Sequence, residues 1–293
     1  MNFAMLMVLA VVVPPSAPLD AGVAKSNSKL LTARPVDVTA QKLEVRVKEN
    51  RAIYTGNAKA VRDTSTLICD SMTVEFLPGG SDVSRIFAQG HCHAVDGDRQ
   101  ATGETVEYFN DTGLMIVRGE PHAIQGSREV TGEEVRFTTG DERLVVTKAK
   151  TKGEQTSPKG TELVTIDADQ LEFFQQQSVA VWSGNVHAHR GATLMTAPEM
   201  QATWDEKGDI TTVETHKGME ATEGNRWVSG RHAVYTAATG VLVLTGNPQA
   251  RQGTSRMKGT RIKFTSGTDV LDVENAVTLL QVDKKKPMQE KKK

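Results

Sequence analysis

The sequence predicts an all-β protein of antiparallel strands, assembled from two tandem copies of one unit. Three observations predict it. The chain repeats itself: Ala52-Ile-Tyr-Thr-Gly-Asn57 returns 128 residues later as Ala180-Val-Trp-Ser-Gly-Asn185. Seven further residues, Tyr108, Gly113, Gly119, Pro121, Gly126, Gly132 and Phe137, return after 127 residues as Tyr235, Gly240, Gly246, Pro248, Gly253, Gly259 and Phe264. So long a period means duplication of a domain-sized unit, not of a solenoid turn. The second observation is alternation of apolar and polar residues, in Lys42-Leu-Glu-Val45, Glu134-Val-Arg-Phe137 and Arg261-Ile-Lys-Phe264. Period two marks strands with one apolar and one polar face. Third, turn signals such as Thr55-Gly-Asn57, Pro78-Gly-Gly80, Asp96-Gly-Asp98 and Arg118-Gly119 punctuate the chain, and no window of about 12 residues carries a 3.6 period. Many short strands joined by hairpins fit a sandwich, a jelly roll or an open β-roll.

Taken in order, residues 1–21 read as a secretory signal peptide. The apolar run within Met1–Val13 is about 11 residues long, whereas a bilayer span needs roughly 20. Small residues from Ser16 to Gly22 follow it as a cleavage zone, although no Lys or Arg precedes the run. The first unit occupies residues 36–149. A Lys-, Gly- and Thr-rich segment, 150–162, reads as a linker, and the second unit fills 163–283. Residues 284–293 form a basic tail expected to be disordered.

The 35 basic and 36 acidic residues nearly cancel, but the tail holds a net charge of +5 and leaves the body near −6. An acidic body speaks against a nucleic-acid partner, which needs a basic face. Aromatic residues are only 5% of the chain, so two folded sheets have little bulk to fill the space between them.

Two histidine pairs, His91-Cys-His93 and His187-Ala-His189, invite a metal reading, because i and i+2 share a strand face. No third donor stands at a shared spacing, and the pairs fall at different points of their units. A solvated strand face explains them, and no metal or cofactor is expected. Cys69 and Cys92, the two cysteines, flank the turn at Pro78-Gly-Gly80 and are candidates for a disulfide in an exported chain. Simple hairpin registers put Cys92 opposite Ile68 or Asp70 and turn Cys69 to the other face. A one-residue bulge would bring them together, and the sequence marks none there. Hydrolase and nucleotide-binding signatures are absent, so the chain is not expected to be an enzyme.

The remaining candidate is the apolar face, which composition alone allows to be either a packed core or an open greasy groove, and here motifs become specific. Asp167-Ala-Asp-Gln-Leu-Glu-Phe173, then Ala180-Val-Trp-Ser-Gly-Asn-Val186, then Ala197-Pro-Glu-Met200 resembles the OstA-like (LptA-type) family of periplasmic lipopolysaccharide-transport proteins. That family has an acidic A-D-x-L strand, an F-x-G-N-V strand and a second A-D-x-M/L strand. This chain has Trp182 for the Phe and Pro198 for the second Asp. Gly230-Arg-His-Ala-Val-Tyr235, Leu242-Val-Leu-Thr-Gly-Asn-Pro248 and Gly259-Thr-Arg-Ile-Lys-Phe264 extend the likeness over nearly the whole second unit. The first matches more loosely, at Thr39–Leu43, Tyr54–Asn57 and Gly132–Phe137.

The resemblance implies two open β-jelly-rolls whose interior shields lipid A acyl chains between the inner and outer membranes. By motif position, Val164, Ile166, Leu171, Phe173 and Tyr235 would line the second groove, and Leu43, Val45 and Tyr108 the first. The alternating apolar face adds Val181, Val186 and Met200 to the second and Ile53 to the first. The implied partners are lipopolysaccharide, an LptC-like inner-membrane protein, an LptD-like outer-membrane protein and further copies stacked head to tail. The alternative is a structural envelope scaffold, or a docking component that carries no lipid. Common members of the family have a single unit, so a tandem pair suggests a longer bridge or a fusion in which one unit only docks.

Overall fold

A computed structural model describes residues 36–62, 65–80, 82–138, 140, 142–157, 160–205, 210–265 and 271–279. The expected signal segment 1–21 and basic tail 284–293 lie outside them. Among the described residues the structure is antiparallel strand with two short 3-10 turns, and no helix is long and apolar enough to cross a membrane.

The described residues cross the sheet sixteen times, eight per unit. The first pass is β1 (Asp37–Thr39) continued by β2 (Lys42–Arg46). Single long strands follow: β3 (Arg51–Arg62), β4 (Ser65–Phe76), β5 (Val83–Asp96) and β6 (Arg99–Phe109). Two interrupted passes come next, β7 (Leu114–Arg118) with β8 (His122–Gln125), then β9 (Arg128–Thr131) with β10 (Glu134–Thr138). β11 (Arg143–Ser157) completes the first unit. The second begins with unbroken β12 (Gly160–Phe174), β13 (Val179–Arg190) and β14 (Thr193–Trp204). Five interrupted passes end it: β15 (Ile210–His216) with β16 (Met219–Glu223), β17 (Arg226–Gly230) with β18 (His232–Thr236), and β19 (Val241–Thr245) with β20 (Gln249–Gln252). Then come β21 (Ser255–Lys258) with β22 (Arg261–Thr265), and β23 (Leu271–Glu274) with β24 (Val277–Leu279). The 3-10 turns Val47–Glu49 and Gln175–Gln177 sit at matching places in the two units.

The expected linker at 150–162 is a correction. It forms the end of β11 and the start of β12, paired from Arg143↔Phe174 to Ser157↔Gly160. Its Lys-Thr-Lys-Gly composition reads as loop because half of it is polar outer face. The two units therefore share one uninterrupted sheet.

Alternate passes carry a left-handed kink near their middle, along a common crease. The backbone there takes left-handed φ at Gly56 and Asn57, Gly90 and His91, Gly184 and Asn185, and Gly246 and Asn247. Unbroken strands show register shifts at this place, for example between Ser183 and Val186. A bulge adds a residue to one strand of a pair and increases its local bend. Glycine is needed for a second reason. A Cβ on Gly184 would sit 2.5 Å from the Asp169 carboxylate, and one on Gly90 would collide with Asp70.

The same device settles the cysteines. Val74 faces Ile86, but the pairing shifts by one residue at Gly90-His91, so that Ile68 faces His93. Cys69 and Cys92 then lie across from each other and are bonded, with Cα atoms 4.3 Å apart. The bulge lies in the partner strand, carried by a Gly-x pair like Gly184-Asn185. The bond closes a separation of 23 residues. Replacing both cysteines by serine is expected to cost ~3 kcal/mol by loop-closure entropy, read as a lower urea midpoint.

Candidate lipid-binding face

Cross-strand registers extend two apolar rows through both units. One runs Leu43, Tyr54, Met72, Ala88, Val106, Val117, Val135 and Val146, and passes directly to Leu171, Trp182, Met200, Thr215, Ala233, Leu244, Ile262 and Val273. The other contains Val45, Ile86, Tyr108, Met115, Phe137 and Leu144, then Phe173, Val213, Tyr235, Leu242, Phe264 and Leu271. Both rows lie on the concave side of the folded sheet, with Val164, Ile166 and Val186 buried on its other half.

Two nominated residues fall elsewhere. Val181 is paired with Glu172 and Gln201, and Ile53 with Glu44 and Thr73, so both lie on the outer face. Each is flanked by inward residues, Ala180 and Trp182 or Ala52 and Tyr54. Where three successive residues are apolar, period two leaves the phase undetermined.

The two units differ in how far the concave face is closed. Leu171 and Phe173 are 0% and 5% exposed, whereas their equivalents Leu43 and Val45 are 53% and 59% exposed. The second core is continuous and includes Trp182, Met200, Leu244, Ile262 and Phe264; it reaches back to Val130, Val146 and Ala149. Phe173 meets Trp204 edge to face at 6.2 Å. In the first unit the buried cluster is Ala58, Cys69, Met72, Val74, Ala88 and Cys92, with Tyr54, Ile86 and Val106 only partly covered. Four of those six side chains are Ala or Cys. Small residues behind larger, half-exposed ones leave an apolar surface that solvent or a ligand can reach.

The crease is polar and holds the motif residues together. Asp169 accepts hydrogen bonds from Asn185 Nδ2 at 2.7 Å and Lys148 Nζ at 2.6 Å. The A-D-x-L aspartate and the G-N asparagine thus meet across β12 and β13. The hydrogen bonds, Lys148's before Asn185's, hold the Asp169 carboxyl below its ordinary range. In the first unit Cys69-Asp-Ser-Met72 stands where the second has Ala197-Pro-Glu-Met200, and Asp70 Oδ2 lies 2.9 Å from His91 Nδ1. That hydrogen bond, and then the aspartate charge, raise the His91 pKa above its usual 6.5. A raised folded-state value means the contact adds stability fully below about pH 6.5 and loses it as pH climbs through the raised value. The His91 imidazole is expected to titrate above 6.5 by NMR in the native chain and to return toward 6.5 in Asp70→Asn.

An open depression follows the crease of the second unit, lined by Gly184, Asn185, Lys217, Gly218, Arg231 and Asn247. Val186, Ala197, Pro198 and Met219 line it as well, and the longer continuous apolar surface is the concave face. Among the described residues neither histidine pair gathers a third metal donor; His187 and His189 point outward, and His91 is engaged by Asp70. Among the described residues three donors do converge at Glu214, His216 and His232, which their spacing in sequence concealed.

The family model described as LptA/(LptD N-terminal domain) LPS transport protein matches twice, over residues 37–157 and 165–270. An uncharacterised protein of Rhizobium meliloti (strain 1021) is 36% identical over 84 residues, covering 26% of this chain and 45% of that protein. The match thus spans about half the length of that relative. The crystal structure of LptH from Pseudomonas aeruginosa, the LptA-homologous periplasmic component of its lipopolysaccharide transport device, superimposes with a TM-score of 0.35 at 17% identity. The superposition covers 39% of this chain and 82% of LptH. Two family matches, one per unit and together spanning most of the sequence, place this chain in the LptA/LptD N-terminal-domain family of lipopolysaccharide transport proteins.

Proposed function

We propose that the chain is an exported, periplasmic lipopolysaccharide carrier in which the first unit holds the acyl chains and the second forms the packed part of the bridge. The observation that carries this reading is the contrast along one shared apolar face, half-open in the first unit and buried in the second. An acyl chain of roughly ten methylenes costs about 8 kcal/mol to hold in water, so a lipid with several chains needs a continuous apolar path. Leu43, Val45, Tyr54, Ile86, Tyr108 and Met115 offer one, while the sugars would remain in solvent.

The ends of the sheet fit docking. β2 exposes Leu43, Val45 and, just beyond it, Val47; β24 exposes Val277 and Leu279. Such edges offer unpaired backbone groups to a neighbouring strand. LptC-like and LptD-like neighbours, or a second copy, are the partners this arrangement would accept. The filled second core favours a docking role for that unit, so lipid need not pass through both.

Photo-crosslinking residues placed at Tyr54 and Tyr108 in a transport-competent strain test the reading. Lipopolysaccharide should be captured at both, and not at outward-facing Ile53. No capture at either inward position, with transport intact, would leave a scaffold that carries no lipid.

A further inference from the structure

We propose that Glu214, His216 and His232, brought together on the outer face of β15 and β18, form a binding site for a divalent transition-metal ion of the zinc class. Glu214 and His216 are i and i+2 on one strand and share a face. β15 and β18 pair antiparallel up to Thr215↔Ala233, which sets His232 across from His216 one step further on. Directly opposed residues hold their Cβ atoms about 5 Å apart, and the two imidazoles stack with centroids 4.8 Å apart.

The ligand atoms of all three residues lie within 4.8 Å of one another. His216 Nε2 and Glu214 Oε2 are 3.5 Å apart. Two ligands each ~2.1 Å from a tetrahedral ion stand about 3.4 Å apart, so that pair is already at coordination spacing. Two imidazoles and a carboxylate with one open position suit zinc better than calcium or magnesium, which prefer oxygen-only sets. The platform is stiff, because Val213 and Thr215, which flank Glu214 on β15, point inward and are fully buried. Glu199, the other cross-strand neighbour of His216, is held by Lys217 at 2.8 Å, which leaves the three donors as the set. All three are half-buried, reachable from solvent yet backed by the sheet. An ion here would clip β15 to β18 beside the crease of the packed unit.

The test uses the whole chain carrying no added histidines. Equilibrium dialysis against Zn²⁺ should find one ion per chain, Co²⁺ should give the visible absorption of a four-coordinate site, and Zn²⁺ should raise the melting temperature. His216→Gln and His232→Gln should each weaken Zn²⁺ binding by at least ~10-fold and abolish the melting shift, whereas His187→Gln should change neither. The glutamine variants lie on the outer face, and an unshifted melt without metal shows them folded. Equal Zn²⁺ uptake by the native chain and a His216→Gln/His232→Gln double variant overturns the proposal, as does undiminished uptake in Glu214→Gln.

Discussion

Trp182→Ala is expected to destabilise the protein by ~3–5 kcal/mol, the range for removing a fully buried large aromatic side chain. Trp182 is 0% exposed, lies between Leu171 and Met200 in the apolar row, and belongs to a core shared by every pass of the second unit. Its equivalent Tyr54 occupies the same row but is only partly buried, against a cluster of small side chains. Tyr54→Ala should therefore cost about half as much, in proportion to the apolar area it removes from contact. Calorimetry on both variants decides the matter. Equal losses would mean that the first unit is packed as tightly as the second, and the asymmetry on which the functional reading rests would be gone.

Gly184→Ala is the second large effect, expected to cost ~2–4 kcal/mol. Left-handed backbone at φ 74° costs a non-glycine residue about 1 kcal/mol, and a methyl 2.5 Å from the Asp169 carboxylate and 2.8 Å from its Cβ forces a strand shift worth ~1–3 kcal/mol more. Asp169→Gly removes the obstructing side chain. In the double variant the steric part should disappear, leaving a coupling of ~1–3 kcal/mol between two residues from different strands. Chemical denaturation of the four proteins of the cycle reads it directly. Purely additive losses would show that the crease does not depend on this approach of Asp169 to Gly184.

The repeat, the strand alternation and the glycine turns made the all-β tandem architecture legible. They did so because each is a local property: one residue in two turns inward, and glycine recurs where the backbone must turn left-handed. What escaped the sequence depends on non-local geometry. The crease bulge at Gly90-His91 decides whether Cys69 meets Cys92, and its role becomes plain only once Gly56-Asn57 and Gly184-Asn185 are seen in the same line. The 150–162 segment read as a linker because Lys150 and Lys152 lie on the solvent side of a paired strand whose inward positions are the small Thr151 and Gly153. Val181 and Ile53 read as inward in the sequence because their neighbours are apolar as well, which removes the alternation that sets phase. Most of the nominated interior, from Val164 to Tyr235 and at Leu43, Val45 and Tyr108, does face inward. Its degree of closure was not legible, since Leu43 and Leu171 look alike in sequence and differ from 53% to 0% in exposure. Glu214, His216 and His232 escaped too, because strand pairing alone brings β18 beside β15.

Lipopolysaccharide binding by the whole chain, compared between an inward and an outward charge, tests the central claim most directly. Tyr108→Asp places a carboxylate on the half-open concave face, and Ile53→Asp places one a few strands away on the convex face. With both variants verified as folded, Tyr108→Asp should lose binding and Ile53→Asp should keep it; equal binding by the two would contradict a lipid path along the first unit's inner surface.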